Sequence, residues 1–372
     1  MYPALAVLKA LEGLQDASSK AENLPTFQPF DYVQGKSSNL ETLWIGGGGG
    51  MEAELVKREG IAFDTIPAAG LHGVGLRALP RNVSQLSKGV LASRRILREF
   101  KPDVLFFTGG YVAGPMALAG RRIPTLLYVP DIEPGLALKS LARFADRIAV
   151  TAEDSQKYFS RKVVVTGYPL RADLMSWTKQ KALRALELDD DLPVLLVVGG
   201  SKGARSINQV IVPNLPTLLD MAQVVHISGQ LDWEAVQTAR AGLTSAHRTR
   251  YHAFPYLHEE MGAALASADL VLARAGASTL GEFPFFGLPA ILIPYPYAWR
   301  YQKVNADFLA QRGAAVIIKD ELLENELLPV VKDLFENPSK RQAMRTAMKS
   351  LARVHAARAI AGQLVELGGQ RP

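Results

Sequence analysis

Short apolar strands, each running into a glycine-punctuated turn and then a helical stretch, recur along almost the whole of this chain. Strand-like runs fall at residues 42–46, 61–66, 104–107, 124–129, 147–151 and 162–166, and again at 193–198, 223–227, 251–254, 270–273, 290–294 and 314–318. A parallel connection needs a crossover long enough to hold a helix, so this alternation predicts an α/β fold of parallel sheets covered on both faces. The two series are separated by a charged, helix-prone stretch at 167–191, which predicts two Rossmann-like, doubly wound domains facing across a cleft. The 372 residues fit two domains of roughly 100–200 residues each. Residues 1–170 are read as the first domain and 171–350 as the second. A last helix, read as one run over 337–367, has its 351–372 portion packing back on the first domain.

In such sheets ligands sit outside the carboxyl ends of the strands, where the glycine turns lie. The stretch 274–305 is the most informative of these places. A strand ends at Ala273, a small-residue turn follows at Ala275, Gly276, Ala277, Ser278 and Thr279, and Glu282 falls one turn into the next helix. The first turn of a helix leaves its amides unpaired, so such a turn can face an anion. A carboxylate just beyond suits the two donor hydroxyls of a ribose. Gln302 and Asn305 bring amides for sugar hydroxyls. On spacing alone an ordinary strand–turn–helix with a surface glutamate stays open. A second glycine turn, Gly199-Gly200-Ser201-Lys202-Gly203-Ala204-Arg205, follows the strand at 193–198. It lacks the spacing of a dinucleotide fingerprint and the Lys-Ser/Thr ending of a P-loop, which disfavours ATPase chemistry. Two Rossmann-like halves without a metal motif suggest a nucleotide-sugar enzyme, with helix N-termini and basic side chains taking the place of a dication at the leaving diphosphate.

The absence of cysteine excludes disulfides, thiolate catalysis and thiolate-bound zinc, and six histidines without paired spacing give no reason to expect a metal site. No cofactor is expected. A net charge of +6 is compatible with a phosphorylated substrate, anionic lipid or nucleic acid, but no nucleic-acid motif accompanies it, and no such partner is expected. No apolar run approaches the ~20 residues of a membrane span. The helical region 76–100, with Lys101 after it, sets Arg77, Arg81, Lys88, Arg94, Arg95 and Arg98 beside Val83, Leu86 and Val90. That pattern can lie on an anionic membrane. A solvated amphipathic helix packed on a sheet is the open alternative.

Taken together, several runs resemble the MurG family, the N-acetylglucosaminyltransferases of peptidoglycan synthesis. The runs are Tyr2-Pro3-Ala4-Leu5-Ala6-Val7, the GMEAELVKREGI run from Gly50, Gly109-Gly110-Tyr111, Gly167-Tyr168-Pro169-Leu170-Arg171, the glycine turn from Gly199, Arg274 to Glu282, and Gln302 with Asn305. The resemblance covers almost the whole chain. It implies the two-domain GT-B fold and an inverting, metal-independent transfer from UDP-N-acetylglucosamine to a polyprenyl-diphosphate-linked muramoyl pentapeptide, lipid I to lipid II. It also implies a peripheral enzyme on the cytoplasmic face of the cell membrane, docked on an anionic surface, which adds weight to the 76–101 region. By the same resemblance Arg171 and Ser201 lie near the donor diphosphate and sugar, and the backbone of Leu257 pairs with the uracil edge. Ala277, Ser278, Thr279, Leu280, Gly281 and Glu282 cradle the nucleotide, with Glu282 on the ribose, and Gln302 reads the N-acetylglucosamine hydroxyls. Gly199, Gly200, Asn305 and Asp131 are further candidates.

The chain also departs from the family. The strand and GGTGGH-like loop that precede the family's YPALA run are absent from this sequence, and with them the histidine favoured as general base. Tyr128-Val129-Pro130-Asp131 stands where the family has His-Glu-Gln-Asn, and Tyr301 where it has Gln or His. The expectation is a well-formed donor half, with little or no transfer by the chain as written if translation truly starts at Met1. His72, Asp131 and Glu133 are substitute base candidates. Two other readings stay open: a UDP-sugar transferase with another lipid acceptor such as diacylglycerol, and a donor-binding form without activity.

Overall fold

A computed structural model of the chain describes residues 1–20, 40–47, 51–68, 79–160, 162–200, 203–296 and 301–369. The chain divides into two compact units. One comprises Met1–Pro130, Pro134–Pro169 and His355–Pro372, the other Asp131–Glu133 and Leu170–Val354.

In the first unit β1 (Leu43–Gly46) pairs in parallel with β2 (Ala62–Thr65). A four-stranded parallel sheet runs in the order β3 (Leu105–Phe107), β4 (Thr125–Val129), β5 (Arg147–Val150) and β6 (Val163–Val165). β4 is buried along its whole length, as a parallel strand between two helical layers must be. Alternation along a strand sends successive side chains to opposite faces. Leu127 and Val129 therefore join Phe107, Ile148 and Val150 on one face, with Ile96 and Met116 from the helices Leu79–Phe100 and Ala113–Ala119. Leu126 and Tyr128 turn to the other face, against Val7 and Leu11 of the helix Tyr2–Lys20 and Ile360 and Leu364 of the helix Ala356–Gly368.

The last helix is anchored on this sheet by Arg147, whose guanidinium donates to Glu366 at 2.6 and 3.0 Å and to Gln363 at 2.6 Å. The single helix expected over 337–367 is two, Pro338–Ser350 and Ala356–Gly368. The break falls where the chain leaves the second unit, at Val354, and re-enters the first, at His355. One straight helix could not bury its apolar stripe in two separate cores.

The second unit holds β7 (Val194–Val198), β8 (Gln223–Ile227), β9 (Tyr251–Phe254), β10 (Leu270–Ala273), β11 (Ala290–Leu292) and β12 (Ala315–Ile317). They form one parallel sheet in the order β12-β11-β10-β7-β8-β9. The chain builds outward from β7 to β9, then returns to lay β10 on the other side of β7. The winding reverses between β7 and β10, and at such a switch point the two crossovers leave in opposite directions and open a crevice at the strand ends.

Candidate functional site

The turns that follow β7 and β10 lie at this switch point. After β10, Thr279 N–H donates to Gly276 O at 3.1 Å, Leu280 N–H to Ala277 O at 3.1 Å, and Glu282 N–H to Ser278 O at 2.9 Å. The Thr279 hydroxyl donates to Gly276 O at 2.7 Å and is buried. The amides of Thr279, Leu280, Gly281 and Glu282 are thus engaged. Those of Gly276, Ala277 and Ser278 come before the first bonded one and donate to no backbone carbonyl among the described residues. They are the helix's unpaired N-terminal donors. The helix Thr279–Phe286 ends at Gly287, in the left-handed conformation at φ 64°, where a Cβ would strike the Lys349 side chain at 2.6 Å.

Glu282 sits in the first turn of that helix. It keeps some exposed surface, yet the atoms crowding its carboxyl push its pKa up to about 7, only partly offset by a hydrogen bond from the Ser278 side chain and the charge of Arg171. A carboxyl poised there changes its charge readily when donors approach it.

After β7 the backbone closes tightly. A Cβ on Gly199 would meet Ala204 N at 2.3 Å, and one on Gly203 would meet Ser228 O at 2.2 Å. Gly200 and Gly203 both have positive φ, 94° and 77°, which glycine alone adopts without strain. Arg171 N-caps a short helix and donates to His258 O at 3.2 Å, with Asp173 at 3.0 Å. It thereby holds the segment carrying Leu257, which is 9% exposed. Gln302 accepts the Tyr295 N–H on Oε1 at 2.9 Å, which leaves its Nε2 as the donor end.

Asn305 departs from its expected place. It is wholly buried, Nδ2 donates to Asp131 Oδ1 at 2.8 Å and to Ala275 O at 3.1 Å, and Oδ1 accepts the Ile132 N–H at 3.0 Å. Both amide hydrogens are used, so Asn305 supports the turn at Ala275 and keeps no donor hydrogen for a sugar. Burial raises the pKa of Asp131, against the hydrogen bond from Asn305. Glu133 is 4% exposed. His72 and Ser201 lie outside the described residues. Tyr128 is wholly buried, with its hydroxyl 3.0 Å from Thr151 Oγ1 and donating to Gly167 O at 3.3 Å.

Sequence reasoning missed the role of Arg274. Its Nη1 donates to Asp320 Oδ1 at 2.5 Å and to Ile293 O at 3.1 Å, and its Nη2 to Ser206 Oγ at 2.7 Å. Ser206 Oγ donates in turn to Asp320 at 2.8 Å, and the guanidinium lies 5.2 Å from the Tyr295 ring centre. One side chain ties the ends of β10 and β11 to the helix after β7. Only the position of an arginine at a strand end, among small residues, hinted at this.

Residues 31–150 match the glycosyltransferase family 28 N-terminal domain and residues 194–360 the glycosyltransferase family 28 C-terminal domain. A protein of Roseiflexus sp. (strain RS-1), named UDP-N-acetylglucosamine--N-acetylmuramyl-(pentapeptide) pyrophosphoryl-undecaprenol N-acetylglucosamine transferase, is 37% identical over 97% of this chain and 91% of its own length. A protein of the same name from Desulforamulus reducens is 36% identical over 96% of this chain and 92% of its own length. The crystal structure of Acinetobacter baumannii MurG superposes with a TM-score of 0.71 at 25% identity, over 98% of this chain and 95% of that one. The UDP-GlcNAc 2-epimerase of Neisseria meningitidis reaches 0.63 at 14% identity, over 98% of this chain and 97% of that one, which shows the fold alone.

Proposed function

Because the chain belongs to the MurG family of glycosyltransferases, we propose that it moves N-acetylglucosamine from UDP-N-acetylglucosamine to a polyprenyl-diphosphate-linked muramoyl pentapeptide, inverting the anomeric carbon without a metal ion. The observation that carries this reading is the pair of turns at the switch point of the second unit, with Glu282 one helical turn behind the free amides of Gly276, Ala277 and Ser278. Those amides face the negative charge of the nucleotide, and the Glu282 carboxylate accepts from its ribose. As the acceptor hydroxyl attacks the sugar's anomeric carbon and gives its proton to a general base, the bond to the diphosphate breaks and UDP leaves with the electron pair. Donors already aimed at that charge need no reorganisation when it develops.

The acceptor assignment follows from the same family membership. The changed residues at Tyr128 to Asp131 and at Tyr301 favour another lipid acceptor such as diacylglycerol, but of these the Tyr128 side chain is turned into the core and takes no part in choosing a lipid.

For a peripheral place on the cytoplasmic face of the membrane, the support is in the first unit. No helix among the described residues is long and apolar enough to cross a membrane. On the helix Leu79–Phe100, Leu91 is 63% exposed near the exposed Lys88, Arg94, Arg95 and Arg98. A cavity of about 600 Å³ beside it is lined by Val90, Arg94, Leu118, Arg121, Arg122 and Ile123, cations around apolar walls. Such a surface suits anionic headgroups over acyl chains.

The donor assignment is tested by calorimetry with UDP and with deoxyuridine diphosphate, which lacks one ribose hydroxyl. Loss of a hydrogen bond to a charged group predicts about tenfold weaker binding of the deoxy form by the wild type, and no such difference in Glu282→Ala. Equal binding of both nucleotides by the wild type would remove Glu282 from the ribose.

A further inference from the structure

A buried polar chain behind the glycine turn after β7 has a single consistent arrangement of hydrogens. Asn208, on the helix Arg205–Ile211, has Nδ2 2.8 Å from Ser228 O and 2.8 Å from Asp232 Oδ2. Both partners are acceptors, so the amide orientation is determined and Oδ1 faces His226 Nε2 at 3.0 Å. His226 must then carry its hydrogen on Nε2. Its Nδ1 accepts from the Tyr251 hydroxyl at 2.8 Å. Arg205 Nε closes the outer end on Asp232 Oδ1 at 3.1 Å. Tyr251 and His226 are wholly buried and Asn208 is 4% exposed. The family motifs quoted above include none of Tyr251, His226 and Asn208.

The chain ends on the atoms that shape the turn. Ser228 O, which takes the Asn208 hydrogen bond, is the atom against which Gly203 packs with no room for a Cβ. The Asn208 N–H bonds Ala204 O at 3.0 Å, and Gly203 N–H bonds Gly200 O at 2.9 Å. The turn after β7 is therefore seated on the turn after β8 through one carbonyl, and Asn208 orients that carbonyl. An uncommitted amide or histidine would let this seat shift, whereas a buried network with every member satisfied has one geometry.

We propose that Asn208 and His226, with Tyr251 behind them, are positioning residues that hold the Gly199-Gly200 and Gly203-Ala204 backbone at the depth where it meets the diphosphate of the sugar nucleotide. The proposal rests on the donor site assigned above. It predicts that disturbing the network weakens binding of a nucleotide that carries a diphosphate and spares one that does not.

The test compares UDP with uridine on the full chain. Asn208→Asp keeps the shape and still accepts from His226, but it cannot donate to Ser228 O and sets a second carboxylate against Asp232. It is expected to weaken UDP about tenfold while leaving uridine within about twofold. Tyr251→Phe removes the innermost donor of the chain and is expected to weaken UDP by a smaller factor in the same selective way. The ¹⁵N shifts of wild-type His226 are expected to report the Nε2–H tautomer, a readout that stands even if Asn208→Asp does not fold. Equal losses for UDP and uridine, unchanged UDP binding in a folded Asn208→Asp, or an Nδ1–H tautomer would each overturn the proposal while leaving the donor site in place. A wild type that binds UDP no better than uridine would overturn both.

Discussion

Glu282 joins a structural fact to a pH dependence. Crowding raises its pKa to about 7 in the protein without nucleotide, so near neutrality a large part of the population is protonated. On the proposed reading, ribose hydroxyls donate to the charged form and stabilise it, which is expected to lower the pKa on binding and release a proton. The sign follows directly. Affinity for UDP rises from about pH 6 to about pH 8 and then levels, because the carboxylate is already formed. Calorimetry in buffers of different ionisation heat reads the released proton, and the Glu282→Gln variant is expected to show neither the slope nor the release. Asp131 poses a separate question at the same scale. Asp131→Asn keeps an oxygen for Asn305 Nδ2, so initial rates are expected to stay within a few-fold of the wild type; loss of about a thousandfold would instead make Asp131 the general base. Asn305→Ala frees the carbonyl of Ala275 and the N–H of Ile132 together. It is expected to lower stability by about 2 kcal/mol in thermal unfolding, since buried polar groups are left unpaired.

Turns and strands decide how rigid the site is. At Gly203 the positive φ and the Ser228 carbonyl at 2.2 Å from a virtual Cβ leave no place for a side chain. Gly203→Ala is expected to destabilise by about 2 kcal/mol or more. Gly276 is the contrast, with nothing within 4 Å of its Cβ direction. Gly276→Ala is expected to keep the melting temperature and still weaken UDP, because the open space it fills is the one proposed for the nucleotide. β8 carries another pH signature. His226 is buried and neutral, its pKa lowered to about 4 from 6.5, chiefly by burial. The unfolded chain binds the proton more tightly, so stability is full above pH 6.5 and falls as pH drops toward 4, by about 3 kcal/mol in all.

The sheets themselves were legible in the sequence. β7 and β10 read as apolar runs between glycine and polar turns, and a strand buried on both faces reads that way. Glu282 was legible because its spacing from a small-residue turn is local. What could not be read were partners distant along the chain. Asn305 is 174 positions from Asp131 and 30 from Ala275, and its sequence neighbours say nothing of either contact. The helix break between Ser350 and Ala356 was hidden because the residues around it are all compatible with a helix, and only the return of the chain to the first unit requires it.

At the scale of the molecule, the second unit carries the proposed nucleotide site and the first a cationic, apolar surface. Reversing charge at Arg94, Arg121 and Arg122 together is expected to abolish sedimentation with vesicles rich in anionic lipid while leaving UDP binding unchanged. Wild-type protein that sediments equally with zwitterionic vesicles would contradict the electrostatic part of that surface. The shared fold with a UDP-GlcNAc 2-epimerase makes clear that architecture alone does not choose the reaction. The decisive measurement is therefore of products. The protein is incubated with UDP-N-acetylglucosamine and a short-chain polyprenyl-diphosphate muramoyl pentapeptide, and the lipid and nucleotide pools are resolved by mass and by the anomeric proton coupling. One added N-acetylglucosamine in the β configuration is expected for each UDP released. An unchanged lipid pool beside hydrolysed or epimerised UDP-sugar, or an α-linked product, would contradict it.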